Sequence, residues 1–125
     1  MIYVQVRIHC TPEGGAVLQK EMAEYNRLML RDGGKPVGNF VVRVGAGTGD
    51  QVHLFAYDDM AAYATAMDKM ASDEQWAAFL GRVGSVSSRV DLSILRPLPE
   101  SGLQSAGTLP VGPVIPAARA AAARP

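Results

Sequence analysis

Two segments of the chain change character at every second residue. The even positions of residues 2–9 are Ile or Val, whereas the odd positions are Tyr3, Gln5, Arg7 and His9. Residues 51–57 repeat the alternation, with small or aliphatic even positions and with Gln51, His53, Phe55 and Tyr57 at the odd positions. Successive side chains of a strand point to opposite faces, so each segment is predicted to be a strand with its aliphatic face against helices. The other face, which carries aromatic and ionisable groups, is expected to line a cavity.

Other segments show the period of an amphipathic helix. Apolar or aromatic side chains recur at spacings of three and four at Leu18, Met22, Tyr25 and Met29, and again at Met60, Tyr63, Met67 and Met70. A further stripe consists of Trp76, Phe79, Leu80 and Val83. Residues that cap helix N-termini precede these stripes, namely Thr11, Asp58 or Asp59, and Ser72, which fits a capping box with Gln75. Helices are therefore predicted after each of these caps.

Strands are also predicted at residues 37–44 and 89–96, and a glycine-rich turn is expected to join 37–44 to the next strand as a hairpin. The order strand–helix–strand–strand–helix–strand is that of a ferredoxin-like α+β domain with a four-stranded antiparallel sheet. Helices can cover only one face of such a sheet. The uncovered face would expose Phe55 and Tyr57, so we expect two copies to close their sheets face to face around a cavity.

The composition supports one domain and narrows the classes of partner. Twelve basic residues balance twelve acidic ones, and no basic stripe appears, so nucleic acid is not an expected partner. Cys10 is the one cysteine, which excludes an intrachain disulfide and favours a reducing cytoplasm. Neither a signal-peptide pattern nor an apolar stretch of the ~20 residues that span a bilayer is visible, so membrane association is not expected.

The last part of the chain differs from the rest. Residues 104–125 hold seven alanines and four prolines, with no aromatic and no acidic residue. Such a segment buries too little apolar surface to offset its ordering entropy. Residues 1–103 are therefore predicted to form the domain, and residues 104–125 a flexible tail.

Four ordered motifs resemble a known family. They are Gly33-Gly34-Lys35-Pro36-Val37-Gly38-Asn39-Phe40, Val52-His53-Leu54-Phe55-Ala56-Tyr57-Asp58, Trp76-Ala77-Ala78-Phe79-Leu80 and Ile94-Leu95-Arg96-Pro97-Leu98-Pro99. Over residues 1–99 the chain is similar to the NIPSNAP family. The resemblance implies a dimeric α/β-barrel, in a superfamily of cofactor-free monooxygenases, isomerases, polyketide cyclases and haem-dependent enzymes, and it implies no single activity.

The chain departs from the family pattern at positions expected to line the cavity. Asn39 stands where the family usually has tyrosine, and Phe55 where it has tryptophan. The segment Gln5-Val6-Arg7-Ile8-His9 matches the family's Glu-Leu-Arg-x-Tyr loosely, with glutamine in place of glutamate and histidine in place of tyrosine. The ligand and chemistry are therefore expected to be particular to this protein.

The central strands of a ferredoxin-like sheet are expected to bring a polar set together. The expected neighbours are Tyr3 with Tyr57, Arg7 with His53 and Asp91, His9 with Gln51 or His53, and Arg43 with Gln51 or His53. An imidazole with a pKa of about 6.5 could accept a proton near neutral pH, a guanidinium could hold a carboxylate or an enolate, and a phenol could donate to an oxyanion. The predicted catalytic residues are His53, Arg7, Tyr57 and His9. The predicted substrate-binding residues are Tyr3, Gln5, Asn39, Val41, Arg43, Phe55 and Trp76.

Structural roles compete with each of these assignments. His53 could form a hydrogen bond across the dimer, and Arg7 with Asp91 could be a structural ion pair. Trp76 could belong to the core rather than to a pocket wall. The methionines of the helix stripe are expected in the core rather than as cofactor ligands, and Cys10 is expected to be inert.

The sequence favours a cofactor-independent enzyme. Two histidines and one cysteine cannot form an all-histidine metal site within one chain. Neither a metal nor a cofactor is expected, with haem through His53 or His9 as the alternative. The function hypothesis is a cytoplasmic homodimer that binds a small aromatic or polyketide-like molecule in specialised metabolism. It would act as an isomerase, cyclase or decarboxylase through histidine-mediated proton transfer. The alternatives are a non-catalytic binding or adaptor module with a self-filled cavity, and a cofactor-free or haem-dependent monooxygenase.

Overall fold

A computed structural model describes residues 1–103, so the predicted flexible tail at residues 104–125 lies outside the described residues. The strands are β1 (Ile2–Cys10), β2 (Lys35–Val41), β3 (Gln51–Tyr57) and β4 (Ser87–Leu95). The helices are α1 (Pro12–Lys20), α2 (Met22–Arg31), α3 (Met60–Ser72) and α4 (Glu74–Val83). The strands form one antiparallel sheet in the order β2-β3-β1-β4. The prediction of a ferredoxin-like α+β domain is confirmed, with two helices in each crossover.

Local sequence explains where the helices begin. Thr11 Oγ1 accepts a hydrogen bond from the Gly14 N–H at 3.1 Å, which confirms the predicted cap of α1. Asp59 Oδ1 accepts from the Ala62 N–H at 2.8 Å and caps α3. The predicted capping box at Ser72 is wrong, because Ser72 ends α3. The cap of α4 is Asp73, whose carboxylate accepts from two backbone N–H groups of the first turn.

The hairpin of β2 and β3 is shorter than predicted. β2 ends at Val41, and residues 42–50 form a loop instead of extending the strand to residue 44. Gly47 and Gly49 have φ values of +76° and +98° within this loop, a region that residues with a Cβ rarely adopt. The loop returns through backbone hydrogen bonds between residue 42 and residues 49 and 50.

The register of β3 corrects the prediction of which face meets the helices. Val4 lies opposite Phe55, and Val6 lies opposite His53. Tyr3 lies opposite Ala56, and not near Tyr57 as predicted; likewise Arg7 lies opposite Val52, and not near His53. A shift of one residue in register exchanges the two faces of a strand. The aromatic positions of β3 therefore lie on the helix-covered face, together with the even, aliphatic positions of β1.

Burial follows the corrected register. His53, Phe55 and Tyr57 are at most 1% exposed and lie beneath the helices. Phe55 and Tyr57 belong to a hydrophobic core to which β1 and all four helices contribute. The partly buried side chains Tyr25, Tyr63, Met67 and Met70 pack against that core. The opposite, open face carries Gln5, Arg7 and His9, which are only partly buried. Throughout residues 1–103, no helix is long and apolar enough to cross a membrane.

Candidate functional site

A cavity of about 210 Å³ lies between the sheet and the helices. The sheet contributes Val4, Val6 and Ile8 of β1, His53 of β3, and Ser87, Val90 and Leu92 of β4. The helices contribute mainly Met, Leu and aromatic side chains, namely Leu18, Met22, Tyr25, Met29, Tyr63, Met67, Met70, Trp76, Phe79, Leu80 and Val83. No Asp, Glu, Lys or Arg belongs to the wall formed by the described residues. The cavity therefore suits a small uncharged ligand.

The cavity opens between α4 and the edge strand β4. Leu80, Val90 and Leu92 all belong to its wall, yet they are 44%, 51% and 55% exposed. The inner wall is closed by fully buried residues, among them Val4 and Trp76. A ligand would therefore enter past an apolar rim at the β4 edge.

His53 is the one ionisable group other than tyrosine that the described part of the chain places in the wall. It is 1% exposed, and burial lowers the pKa of its imidazole to about 4, so the ring is neutral at physiological pH. Its Nδ1 lies 2.8 Å from the Asn39 Nδ2 atom. Its Nε2 atom is buried and has no hydrogen-bond partner among residues 1–103. An unpaired buried polar atom is costly, and such atoms in native proteins call for an explanation.

The Asn39 side chain is itself held by a second amide. Asn26 of α2 donates from Nδ2 to Asn39 Oδ1 at 2.9 Å, and Asn39 donates from Nδ2 to Asn26 Oδ1 at 3.3 Å. The two asparagines form a reciprocal pair that links α2 to β2. The predicted role of Asn39 as a residue that contacts the substrate is replaced by a contact to His53 from behind the cavity wall.

Tyr25 is the centre of the aromatic cluster in the wall. Its ring meets those of His53 and Phe55 edge-on, with centroid distances of 5.2 and 5.4 Å, and it stacks on Phe79 at 5.6 Å. Edge-on and offset contacts of this kind are the favoured aromatic geometries. Burial raises the pKa of the Tyr25 phenol well above its usual value, so this group stays protonated.

Trp76 has a structural anchor as well as a place in the wall. Its Nε1 donates to Asp32 Oδ2 at 2.8 Å, and the indole is 1% exposed. The Arg31 guanidinium, followed by this indole N–H, holds the pKa of Asp32 below its usual range. Trp76 therefore belongs both to the core and to the wall of the cavity.

Tyr3, Gln5, Arg7 and His9 lie on the open face of the sheet, which is the face predicted for them. None of the four belongs to the wall of the cavity beneath the helices. Tyr3 is buried there, and burial raises the pKa of its phenol. Arg7 lies opposite Asp91 in the pairing of β1 with β4, as predicted. Its side chain, however, forms an ion pair with Asp50 at 3.2 Å.

The open face contains a network centred on His9. Its Nδ1 lies 2.8 Å from Asp50 Oδ2, and its Nε2 lies 2.7 Å from Asp91 Oδ2. Asp91 also accepts two hydrogen bonds from Arg89, and these bonds, together with that from His9, lower the pKa of Asp91 to about 2. The network joins β1 to the 42–50 loop and to β4, so its geometry is that of a cross-link.

The remaining predicted residues are separated from the cavity. Arg43 follows the end of β2 and is exposed, so it does not lie near His53, and Val41 is exposed at the same end. Phe55 is fully buried beneath Tyr25. Tyr57 is buried and its hydroxyl has no hydrogen-bond partner among residues 1–103, while burial raises the pKa of this phenol to about 12.

Sequence reasoning missed several residues of the wall, above all Tyr25, Tyr63 and Leu80. Each belongs to an apolar helix stripe in the sequence. The helical spacing of apolar residues shows that a stripe is buried, but it does not distinguish a residue of the core from a residue of a cavity wall. Asn26 was missed because nothing near it in the sequence indicates a partner on β2. Cys10 was predicted to be inert, and burial followed by the nearby Asp50 carboxylate raises the pKa of its thiol.

No group of three or more His, Cys, Asp or Glu side chains within residues 1–103 could hold a metal ion.

The architecture, a four-stranded antiparallel sheet covered on one face by two helix pairs, is the α+β fold of the dimeric α/β-barrel class. Residues 8–102 match the NIPSNAP family model. The chain belongs to the NIPSNAP family, as its four motifs indicate.

Solved structures share the fold at low identity. A NIPSNAP family protein of unknown function from Agrobacterium tumefaciens is 20% identical, with a TM-score of 0.76 over 83% of this chain and 94% of that one. An uncharacterized NIPSNAP domain protein from Burkholderia xenovorans is 21% identical, with a TM-score of 0.70 over 79% and 96% of the two chains. An antibiotic biosynthesis monooxygenase is 15% identical, with a TM-score of 0.57 over 79% of this chain and all of that one. No curated protein matches the chain.

Proposed function

We propose that this protein binds a small, uncharged, aromatic or polyketide-like molecule in the cavity between its sheet and its helices. The observation that carries the proposal is the apolar cavity of about 210 Å³ with a buried, unpaired imidazole nitrogen in its wall. A dry apolar cavity of about 150 Å³ is sufficient to bind benzene. The volume here therefore suits one substituted ring or two small fused rings.

The same geometry supports a cofactor-independent reaction of a carbonyl compound. In isomerisation or cyclisation, solvent water at the cavity mouth would take the α-proton of the carbonyl compound and later return it to the product. The carbonyl oxygen beside His53 Nε2 would carry the negative charge of the enolate in between. Fixed hydrogen-bond donors in a water-poor site stabilise such charge strongly. Arg7 and His9 are on the other face of the sheet, so the enzymatic form of the proposal now depends on His53.

The fold favours oxygenation as a second candidate. The likeness to an antibiotic biosynthesis monooxygenase is one of fold, and an aromatic-lined cavity without charged groups would hold a phenol or hydroquinone equally well. Consumption of dissolved oxygen on addition of such a compound would distinguish oxygenation from the isomerase class, which consumes none.

A homodimer is proposed as the assembled form. The open face carries Phe40 and Leu95, which are 58% and 39% exposed, and a second copy placed sheet to sheet would cover them. Native mass spectrometry gives the oligomeric state, and a monomer at micromolar concentration would contradict this part of the proposal.

The binding proposal is tested with two bicyclic probes, indane and 1-indanone, by calorimetry and by thermal shift. Both are expected to bind and to raise the melting temperature. Leu80→Trp would narrow the mouth and weaken binding by roughly tenfold, because overfilling an occupied site costs about 1–3 kcal/mol. The matched control is Leu30→Trp on α2, where the side chain is 57% exposed and outside the cavity wall. The absence of binding by either probe to the wild-type protein would refute the proposed function.

A further inference from the structure

We infer that His53 donates a hydrogen bond to the ligand, and that the ligand presents an acceptor oxygen such as that of an aromatic ketone or quinone. Asn39 and Asn26 hold the imidazole of His53 in the tautomer that makes it a donor. The inference rests on the proposed function and narrows the class of molecule that the cavity binds. It replaces the expected role of His53 as a proton acceptor.

The proton on the imidazole can be placed from its neighbour. The atom 2.8 Å from His53 Nδ1 is the amide nitrogen of Asn39, and an amide nitrogen only donates hydrogen bonds. His53 Nδ1 is therefore the acceptor, and a neutral imidazole with an unprotonated Nδ1 carries its hydrogen on Nε2. Nε2 is the atom left without a partner among residues 1–103.

Asn26 bonds to both polar atoms of the Asn39 amide. The oxygen of Asn39 accepts from Asn26, and one N–H of Asn39 returns to Asn26, which leaves the other N–H for His53. Every polar atom of the Asn39 side chain is thereby used. Asn39 and Asn26 are positioning residues, since they act on the ligand through the imidazole.

The unpaired N–H gives the cavity a preference among ligands of the same shape. A hydrocarbon fills the apolar wall but leaves the donor unsatisfied, and a ligand with only a donor meets a second donor. A ligand with an acceptor oxygen satisfies Nε2. The Trp76 indole N–H of the wall already donates to Asp32. The other side chains of the wall that can donate a strong hydrogen bond are the hydroxyls of Tyr25, Tyr63 and Ser87, which can also accept one. Burial also lowers the pKa of the imidazole, so the neutral ring persists through the physiological range.

Three bicyclic probes of nearly equal size test the preference by calorimetry at pH 7.5. 1-Indanone offers an acceptor only, indane offers neither group, and indole offers a donor only. We expect 1-indanone to bind roughly fivefold more tightly than indane, with indole no tighter than indane. In His53→Phe the advantage of 1-indanone is expected to vanish while indane still binds. Equal binding of the three probes, or tightest binding of indole, would overturn the inference and leave the proposed function standing; failure of all three would instead refute the proposed function.

The tautomer is tested directly by ¹H–¹⁵N correlation spectra of the wild-type imidazoles. The expected spectrum for His53 has a protonated Nε2 and an unprotonated Nδ1, and the opposite pattern would overturn the inference. Asn39→Asp replaces the donor by a carboxylate, which accepts from Nδ1 and leaves a lone pair on Nε2. At a pH where the ring is neutral, this variant is expected to lose the preference for 1-indanone and to favour indole.

The matched control is Gln75→Glu, the same change from amide to acid on the surface, where the Gln75 side-chain oxygen accepts from Arg27 and Arg31. It is expected to keep the wild-type order of probes and the wild-type spectrum. If Asn39→Asp does not fold, the wild-type spectrum and the probe series decide the question. A folded Asn39→Asp variant with the wild-type spectrum and order would count against the inference.

Discussion

The two faces of the sheet use the same side chain for different purposes. His53, on the helix-covered face, is 1% exposed, and its one hydrogen-bond partner within residues 1–103 is a neutral amide. His9, on the open face, has a carboxylate oxygen within 2.8 Å of each ring nitrogen. A carboxylate oxygen can accept a hydrogen bond from whichever ring nitrogen of His9 carries a proton, so His9 links Asp50 to Asp91. The environment of a histidine, rather than its strand, decides whether it faces an apolar cavity or joins two carboxylates.

The difference extends to the rest of each face. The helix-covered face encloses an apolar cavity in which one unsatisfied nitrogen can select a ligand. On the open face, Arg7 and His9 pair with Asp50 and Asp91. Charged groups that already bond to one another are less available to bond a ligand. The candidate functional site is therefore the cavity and not the charged network.

The largest expected contrast comes from one substitution made on each face. Phe55→Ala removes a fully buried ring that contacts Tyr25, and the free energy of unfolding should fall by about 3–5 kcal/mol. Phe40→Ala removes a ring that is 58% exposed on the open face, and a loss below about 1 kcal/mol is expected. Urea denaturation measures both.

The Phe40→Ala variant also tests the proposed dimer. If a second copy covers the open face, Phe40→Ala should lower the free energy of unfolding by more than the value expected for a monomer. The size of that loss should also vary with protein concentration. Equal losses for Phe55→Ala and Phe40→Ala at every concentration would show that the two faces do not differ in burial as described.

The second prediction concerns pH and His53. The pKa of its imidazole is about 4 in the folded protein, against about 6.5 when unfolded, so the unfolded state binds the proton more tightly. Stability from this group is present above pH 6.5 and is lost as the pH falls through 4, by about 3 kcal/mol in total. His53→Phe should abolish that part of the pH dependence. Urea denaturation between pH 7.5 and pH 4 measures it, and parallel curves for the two proteins would contradict the prediction.

The sequence predicts the order of elements well because the strand and helix periods are local properties. It also predicts the buried face of β1 correctly, since only its even positions are uniformly aliphatic. The face of β3 could not be chosen in this way. Its two alternating sets, Val52, Leu54 and Ala56 against His53, Phe55 and Tyr57, are both apolar enough to be buried.

The register that decides between those sets is not a local property. It is fixed by the pairing of β3 with β1 and by the length of the 42–50 loop, and one residue of slip exchanges the faces. His53 was thus identified as a functional residue for a cavity on the wrong side of the sheet. The amide pair of Asn26 and Asn39 joins a helix to a strand, and no spacing rule indicates such a contact.

The third prediction addresses the interior of the charged network. Asp50 is 5% exposed and accepts from Arg7, His9 and the Cys10 N–H. Asp50→Asn keeps an acceptor oxygen but removes the negative charge beside Arg7 and His9. Because Arg7 and His9 are partly exposed, we expect a loss of about 1–2 kcal/mol rather than the larger cost of breaking a fully buried pair. Urea denaturation at pH 6 measures it, and a loss above that of Phe55→Ala would contradict the assignment.

The smallest effect is expected for Asp91→Asn, at the edge of the same network. The Asp91 side chain is 41% exposed, and solvent screens its bonds to His9 and Arg89, so the change in unfolding free energy should lie near the error of the measurement and disappear in 1 M salt. Asp50→Asn, measured in parallel, is the control for a less screened charge. A loss for Asp91→Asn equal to that for Asp50→Asn would mean that water does not reach the open face. If the loss of unfolding free energy for Asp91→Asn also grows with protein concentration, a second copy of the chain covers the open face. Only a contact between molecules can make the screening of one carboxylate depend on protein concentration.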